Sequence, residues 1–203
     1  RFEREQRLPW RTRIATGIIK WCLNNFKKYV FLTEAMNVVN ERKRPYIVME
    51  GMSDRFMATY KRPFEAKDIK VVMYAGGLHE RYGLKKLTEA FMMLPQENFR
   101  LKLFGSGPFV EKLKTKYTKK DSRIQYMGVA PNAEVVAAEL DASLLVNPRP
   151  THEEFTKYSF PSKNIEYMAS GTPLLTTKLP GMPKEYYPYV FLIENESVEG
   201  YAK

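Results

Sequence analysis

From residue 69 to the last residue, 203, short apolar runs alternate with stretches of helical character, and this alternation limits the fold more than any other feature. The runs predict strands at 69–75, 101–104, 124–127, 143–147, 173–177 and 189–193. Between them the pattern predicts helices at 83–94, 108–117, 132–140, 162–170 and, shorter, near 183–187. A strand followed by a helix and a further strand builds a parallel sheet with helices on its faces. The fold class expected is therefore α/β: a Rossmann-like parallel sheet flanked by helices. In such sheets ligands sit beyond the carboxyl ends of the strands, so function is expected in the loops that follow them.

Residues 1–50 form a shorter block of the same kind. A helix is expected at about 10–28, a strand at 29–33, a second helix at about 34–43 and a strand at 46–50. Two such units are too few to stand alone. Residues 51–68, with Gly51, Pro63 and mixed charge, read as a linker, or as an irregular packed connection. The expected division is 1–50, 51–68 and 69–203.

The formal net charge of +10 is concentrated at the start of the chain. Arg1, Arg4, Arg7, Arg11, Arg13, Lys20, Lys27 and Lys28 face only Glu3 and Glu5 within residues 1–28. Trp10, Ile14, Ile18 and Trp21 recur at helical spacing, beside a basic row of Arg13, Lys20 and Lys27. Such a helix suits an anionic membrane surface or an acidic partner, or simply packs its apolar stripe and solvates its charges. No basic-aromatic repeat or helix-turn-helix pattern points to nucleic acid. Cys22 is the one cysteine, which excludes an intrachain disulfide and fits a reducing, cytoplasmic setting. His79 and His152 are too few for a persuasive zinc site, and no cofactor is called for. No apolar run approaches the ~20 residues of a membrane span. The chain opens on Arg1 rather than a methionine, which reads as a fragment boundary.

Three loops at the predicted carboxyl edge carry ligand-binding chemistry. The first is Ala75-Gly-Gly-Leu-His-Glu-Arg-Tyr-Gly83, where Gly76 and Gly77 allow close backbone approach and Arg81 is within reach of a phosphate. The second is Phe104-Gly-Ser-Gly-Pro108, a glycine loop containing Gly105 and Ser106 that opens a helix. The third, Asn147-Pro-Arg-Pro-Thr-His-Glu-Glu-Phe-Thr-Lys-Tyr158, leads toward the helix at 162–170. There Ser162 reads as the N-cap, Glu166 lies one turn in, and Gly171 with Pro173 ends the helix. Helix N–H groups and Lys163 favour phosphate, while Glu166 accepts from ribose hydroxyls, a combination that suggests a nucleotide-sugar site. Taken alone, the same helix is also a capped surface helix. A dinucleotide fingerprint is excluded: Gly105-Ser-Gly107 follows the second strand of its block, and Val110 occupies the third glycine position.

The motifs Tyr74-Ala-Gly-Gly-Leu78, Leu103-Phe-Gly-Ser-Gly-Pro108 and Tyr158-Ser-Phe-Pro-Ser-Lys-Asn-Ile-Glu-Tyr-Met-Ala-Ser-Gly-Thr-Pro173 resemble those of the group 1 glycosyltransferases, family 4, of GT-B architecture. The specific element is Glu-Tyr-Met-Ala-Ser-Gly-x-Pro at 166–173, similar to the second half of the family's Glu-x7-Glu motif. Residues 69–203 resemble the C-terminal, donor-binding domain. Residues 29–54, through Ile47-Val-Met-Glu-Gly51, resemble the last strands of the N-terminal, acceptor-binding domain and its crossover. The resemblance implies that most of the acceptor domain is missing from this chain.

It also implies a retaining, metal-independent sugar transfer from a nucleotide-diphosphate sugar, for polysaccharide or glycoconjugate assembly. By resemblance Glu166 holds the ribose, and Met127, Gly128 and Val129 lie against the nucleobase. The loop after the first strand and the helix start at Ser162 meet the diphosphate and sugar. The chain also departs from the pattern. Tyr158 stands eight positions before Glu166, where the family has its first glutamate. Gly77 and Tyr82 stand where the family has an arginine and a lysine. Arg81 and Lys163 are the candidate substitutes for those cations, and Glu153 or Glu154 for the carboxylate. The alternatives carried forward are a non-catalytic nucleotide-sugar-binding or interaction module, such as half of a two-chain transferase, and an epimerase of the same architecture.

Overall fold

The structure, a computed structural model, describes residues 9–54, 57 and 68–203. Most of the expected linker, and the basic residues Arg1, Arg4 and Arg7, lie outside the described residues.

Six parallel strands form the main sheet: β3 (Lys70–Ala75), β4 (Phe99–Phe104), β5 (Ile124–Gly128), β6 (Leu144–Asn147), β7 (Leu174–Thr177) and β8 (Phe191–Ile193). Their order is β5-β4-β3-β6-β7-β8, so the winding reverses between β3 and β6. The residues of β3 explain why this strand is central. Val71, Met73 and Ala75 are buried on one face, while Tyr74 points into the core on the other. On Tyr74's side the helices α2 (Leu84–Met93) and α3 (Phe109–Lys112) pack Leu87, Phe91 and Phe109 against Leu101, Leu103 and Ile124. The opposite face carries α4 (Asn132–Asp141) and α5 (Ser162–Ser170), with Tyr167 packed among Met73, Leu145 and Leu174. Burial on both faces is what a run such as Lys70-Val-Val-Met-Tyr-Ala75 requires.

Helix α3 does not run evenly over the expected 108–117. After Lys112 it widens into a π turn, Leu113–Tyr117, and resumes for one turn at Thr118–Lys120. The wider turn keeps Leu113 and Tyr117 both buried, and Tyr117 donates its hydroxyl to Glu89 at 2.9 Å. The short helix expected near 183–187 is a 3₁₀ turn, Lys184–Tyr189, because Pro188 denies it the next α-helical bond. A last helix, α6 (Val198–Tyr201), is capped by the Ser197 hydroxyl and was not foreseen.

The first block holds α1 (Trp10–Asn25), β1 (Tyr29–Phe31) and β2 (Tyr46–Val48); the two strands pair in parallel as a separate sheet. Between them the expected second helix is a 3₁₀ turn, Glu34–Val39, ended by Asn40, whose side chain bonds Arg44 N and O and closes the turn early. Helix α1 ends at Asn25, three residues before its expected limit, and has no buried residue. Its apolar stripe does not pack among the described residues: Trp10 is 66% and Trp21 69% exposed. The block meets the loop after β6 through Thr33, whose hydroxyl donates to the Lys157 carbonyl at 2.9 Å.

Candidate functional site

The loops after β3, β4 and β5 are bound to one another backbone to backbone. Gly76 N donates to Phe104 O (3.1 Å), Leu78 N to Ser106 O (2.8 Å) and Gly105 N to Gly128 O (2.7 Å). This contact, as much as ligand approach, requires the glycines. Gly105 has φ +125°, and a Cβ there would fall 1.9 Å from the Gly76 carbonyl oxygen. Ser106, Met127 and Val129 are exposed at this edge, beside Gly128.

Helix α5 is pinned to the ends of three strands. Tyr167 accepts from Ala75 N (2.8 Å) and donates to Ala75 O (3.2 Å) at the end of β3. Asn164, fully buried, takes the Asn147 amide at the end of β6 and reaches Thr176 on β7. Its start differs from the expectation. The N-cap is Pro161, and Ser162 is the first helical residue with no capping bond. The proline ring already fixes the extended entry, and the Pro161 carbonyl takes the first bond, from Asn164 N at 2.9 Å. Gly171 closes the helix in the left-handed conformation expected of it, φ +73°.

Lys163 does not face open solvent as a free phosphate ligand. Its ammonium sits between two carboxylates, 3.0 Å from Glu139 and 2.9 Å from Glu166. Glu139 comes from α4, is fully buried, and leaves its Oε2 without a partner. Burial pushes the Glu139 carboxyl up to about 7 against the pull of Lys163, and Glu166 adds to the rise. Burial works against the Lys163 charge, yet the two carboxylates outweigh it and hold its pKa above the ordinary value.

A cavity of about 1080 Å³ opens beside this trio. Met52, Asp54 and Met57 form one wall, Asn132 and Val136 from the start of α4 another, and Ser162 and Glu166 a third. Among the described residues, Ser162 and Glu166 are the members of the expected set that line it. Lys163 is outside the lining and reaches the cavity only through its pair with Glu166. Gly76, Gly77, Arg81, Gly105, Ser106, Met127, Gly128, Val129, Glu153, Glu154 and Tyr158 lie outside its lining. Arg81 is exposed, its guanidinium 5.2 Å from the Tyr82 ring and 5.7 Å from Phe155. Glu153 precedes the 3₁₀ turn Glu154–Lys157 and lies 3.9 Å from His152, Glu154 is exposed, and Tyr158 is the residue that ends the turn.

Two residues that the fold sets against the expected ones were not singled out in the sequence. Glu139 falls on the face of α4 that also carries Val135 and Ala138, both packed on the sheet, and an acid on that apolar face was the signal available. Arg149, two residues beyond β6, was hidden in a loop whose prolines gave it no period. No group of three or more His, Cys, Asp or Glu that would hold a metal occurs among the described residues, and no described helix is long and apolar enough to cross a membrane.

Comparison with known proteins agrees with this architecture. Residues 69–203 match the family model described as glycosyl transferases group 1. Over 112 residues the chain is 30% identical to the putative colanic acid biosynthesis glycosyltransferase WcaL of Escherichia coli (strain K12), covering 53% of this chain and 27% of WcaL. Among solved structures, sucrose-phosphate synthase from Thermosynechococcus elongatus superposes with a TM-score of 0.70 at 20% identity, over 98% of this chain and 52% of that one. The Anabaena protein HepE, solved in complex with UDP and glucose, gives 0.64 at 14% identity, over 92% and 55%. The chain thus spans about a quarter of the curated relative and about half of these structural ones. These likenesses carry the fold, and the match over residues 69–203 places the chain in the group 1 glycosyltransferase family.

Proposed function

We propose that this chain is the donor-binding part of a retaining, metal-independent glycosyltransferase. It moves a hexosyl group from a nucleotide-diphosphate sugar to a polysaccharide or glycoconjugate acceptor. The observation that carries the reading is Glu166 on the cavity wall, its carboxylate oriented by Lys163, which is anchored in turn on buried Glu139. A carboxylate held in this way accepts from vicinal ribose hydroxyls, with the nucleobase toward Asn132 and Val136 and beside the loop of Met127, Gly128 and Val129. Two relatives support it in kind: WcaL is named as a putative colanic acid biosynthesis glycosyltransferase, and HepE was solved with UDP and glucose. Transfer needs donor and acceptor held together, so residues 1–50, read as the end of an acceptor domain, and 51–68, read as its linker, leave the chain inactive alone. The setting proposed is cytoplasmic, with the exposed α1 resting against the inner face of a membrane.

Tyr158, standing where a catalytic pair would place its first carboxylate, favours a second reading: a module that binds the nucleotide sugar without transferring it. Isothermal titration with UDP, GDP, ADP and CMP tests the common ground of both readings. Selective binding of one nucleotide, reduced at least tenfold in Glu166→Ala, is the expected result. Equal binding by the variant would remove the ribose role.

A further inference from the structure

Glu139, Lys163 and Glu166 differ in their access to water. The Glu139 side chain is fully buried, whereas those of Lys163 and Glu166 keep 29% and 24% of their surface exposed. Of the three, Glu166 alone lines the cavity. One ammonium thus serves an acid that can meet a ligand and an acid that cannot. The i, i+3 spacing on α5 accounts for the pair of Lys163 with Glu166. Nothing local accounts for Glu139, which α4 brings from 24 residues away.

The shared cation is closely held. Thr172 Oγ1 donates to the Glu139 main-chain carbonyl at 2.9 Å and ties the end of α4 to the end of α5. The Lys163 ammonium lies 5.9 Å from the centroid of the Tyr167 ring, whose hydroxyl is fixed at Ala75 by two bonds. Glu139 Oε1 takes the ammonium, while Oε2 is buried without a partner. A full charge on a half-satisfied, buried carboxylate is costly, and burial lifts this carboxyl to about 7. Among the described residues, the titratable groups that act on it are Lys163, Glu166 and the Tyr167 phenol. Burial pushes that phenol well above its ordinary value, and two acids hold Lys163 charged, so neither changes charge near neutral pH.

The charge of the trio then depends on one proton. With Glu139 neutral, the ammonium answers Glu166 alone and the charges cancel. With Glu139 ionised, two carboxylates share one ammonium and a negative charge is left over. The excess falls on Glu166, the acid that water and ligand can reach, because charge left on Glu139 has no solvent to stabilise it. A carboxylate carrying uncompensated charge makes the stronger hydrogen bonds with hydroxyl donors.

We infer that Glu139 is a positioning residue for Glu166: its proton sets how much of the Lys163 ammonium Glu166 keeps, and the hold of Glu166 on ribose hydroxyls tightens when that proton leaves. The inference rests on the reading of Glu166 as the ribose acceptor given above.

Titration with UDP, GDP and ADP beside their 2′,3′-dideoxy counterparts, at about pH 6 and about pH 8, tests it, because ionisation of the phosphates cancels in the ratio of the two affinities. In the wild type the preference for the ribonucleotide is expected to rise severalfold between the two pH values. Glu139→Gln, shown by its melt to be folded, is expected to keep the wild type's low-pH preference at both. A second measurement uses the wild type alone. At about pH 7, in buffers of different ionisation enthalpy, the ribonucleotide is expected to release more proton on binding than its dideoxy form. Equal release by the two forms overturns the inference even where the variant does not fold. A ribonucleotide preference equal at both pH values overturns it and leaves the ribose role of Glu166 standing. A rise that survives in Glu139→Gln assigns the titration to another group and overturns it too. No preference for the ribonucleotide at either pH, or no binding of any of the three nucleotides, removes the donor-site reading and the inference with it.

Discussion

Glu139 sits on the sheet-facing side of α4, and its burial has a thermodynamic consequence. Its carboxyl titrates near 7 in the folded chain, above the ordinary value of 4.5. The folded state therefore binds this proton more tightly than the unfolded state does. The stabilisation is fully present below pH 4.5 and is lost as pH rises through 7. Across that window stability falls as pH rises. Glu139→Gln keeps the shape and the acceptor for Lys163 but cannot ionise. Thermal melts from about pH 5 to about pH 8 should show the wild type losing ground to this variant as pH rises. A constant difference across the range would mean that Glu139 does not titrate there.

Among the elements, the stitched loops after β3, β4 and β5 depend on glycine for closeness as well as for conformation. Gly105→Ala places a methyl group on the Gly76 carbonyl in a left-handed backbone, and should cost about 3 kcal/mol or more in urea melts. Most elements of residues 69–203 were legible because their sequences mark them, α6 being the exception. Apolar runs mark the strands, and Gly171 with Pro173 marks the end of α5. Boundaries moved where a local bond competed: Asn40 closed the turn after Glu34, and Pro161 took the capping place from Ser162. The site was less legible than the fold. Lys163 reads as a phosphate ligand until α4 brings Glu139 to it from 24 residues away. Arg149 meets Tyr82 only because β3 and β6 are neighbours in the sheet. Periodicity records which face of an element is buried. It carries nothing about which loops the winding order will bring together.

On the scale of the whole molecule, the main sheet is covered on both faces, while the first block is not. Val30 and Ile47 point outward from the two-stranded sheet, and α1 has no buried residue. Beyond Thr33, the block's attachment includes Gly51, where a Cβ would lie 2.9 Å from Ile165. The chain has two tryptophans, Trp10 and Trp21, and both stand on the exposed helix. Its tryptophan fluorescence is thus a local signal from α1 and not from the cavity. Emission should be solvent-like and readily quenched by acrylamide, and nucleotide should leave it unchanged. Anionic phosphatidylglycerol vesicles should move it to the blue if α1 rests on a membrane, and an unmoved spectrum would turn that reading down. The same chain thereby carries a built-in optical probe for whatever covers its first helix, on residues that do not line the cavity.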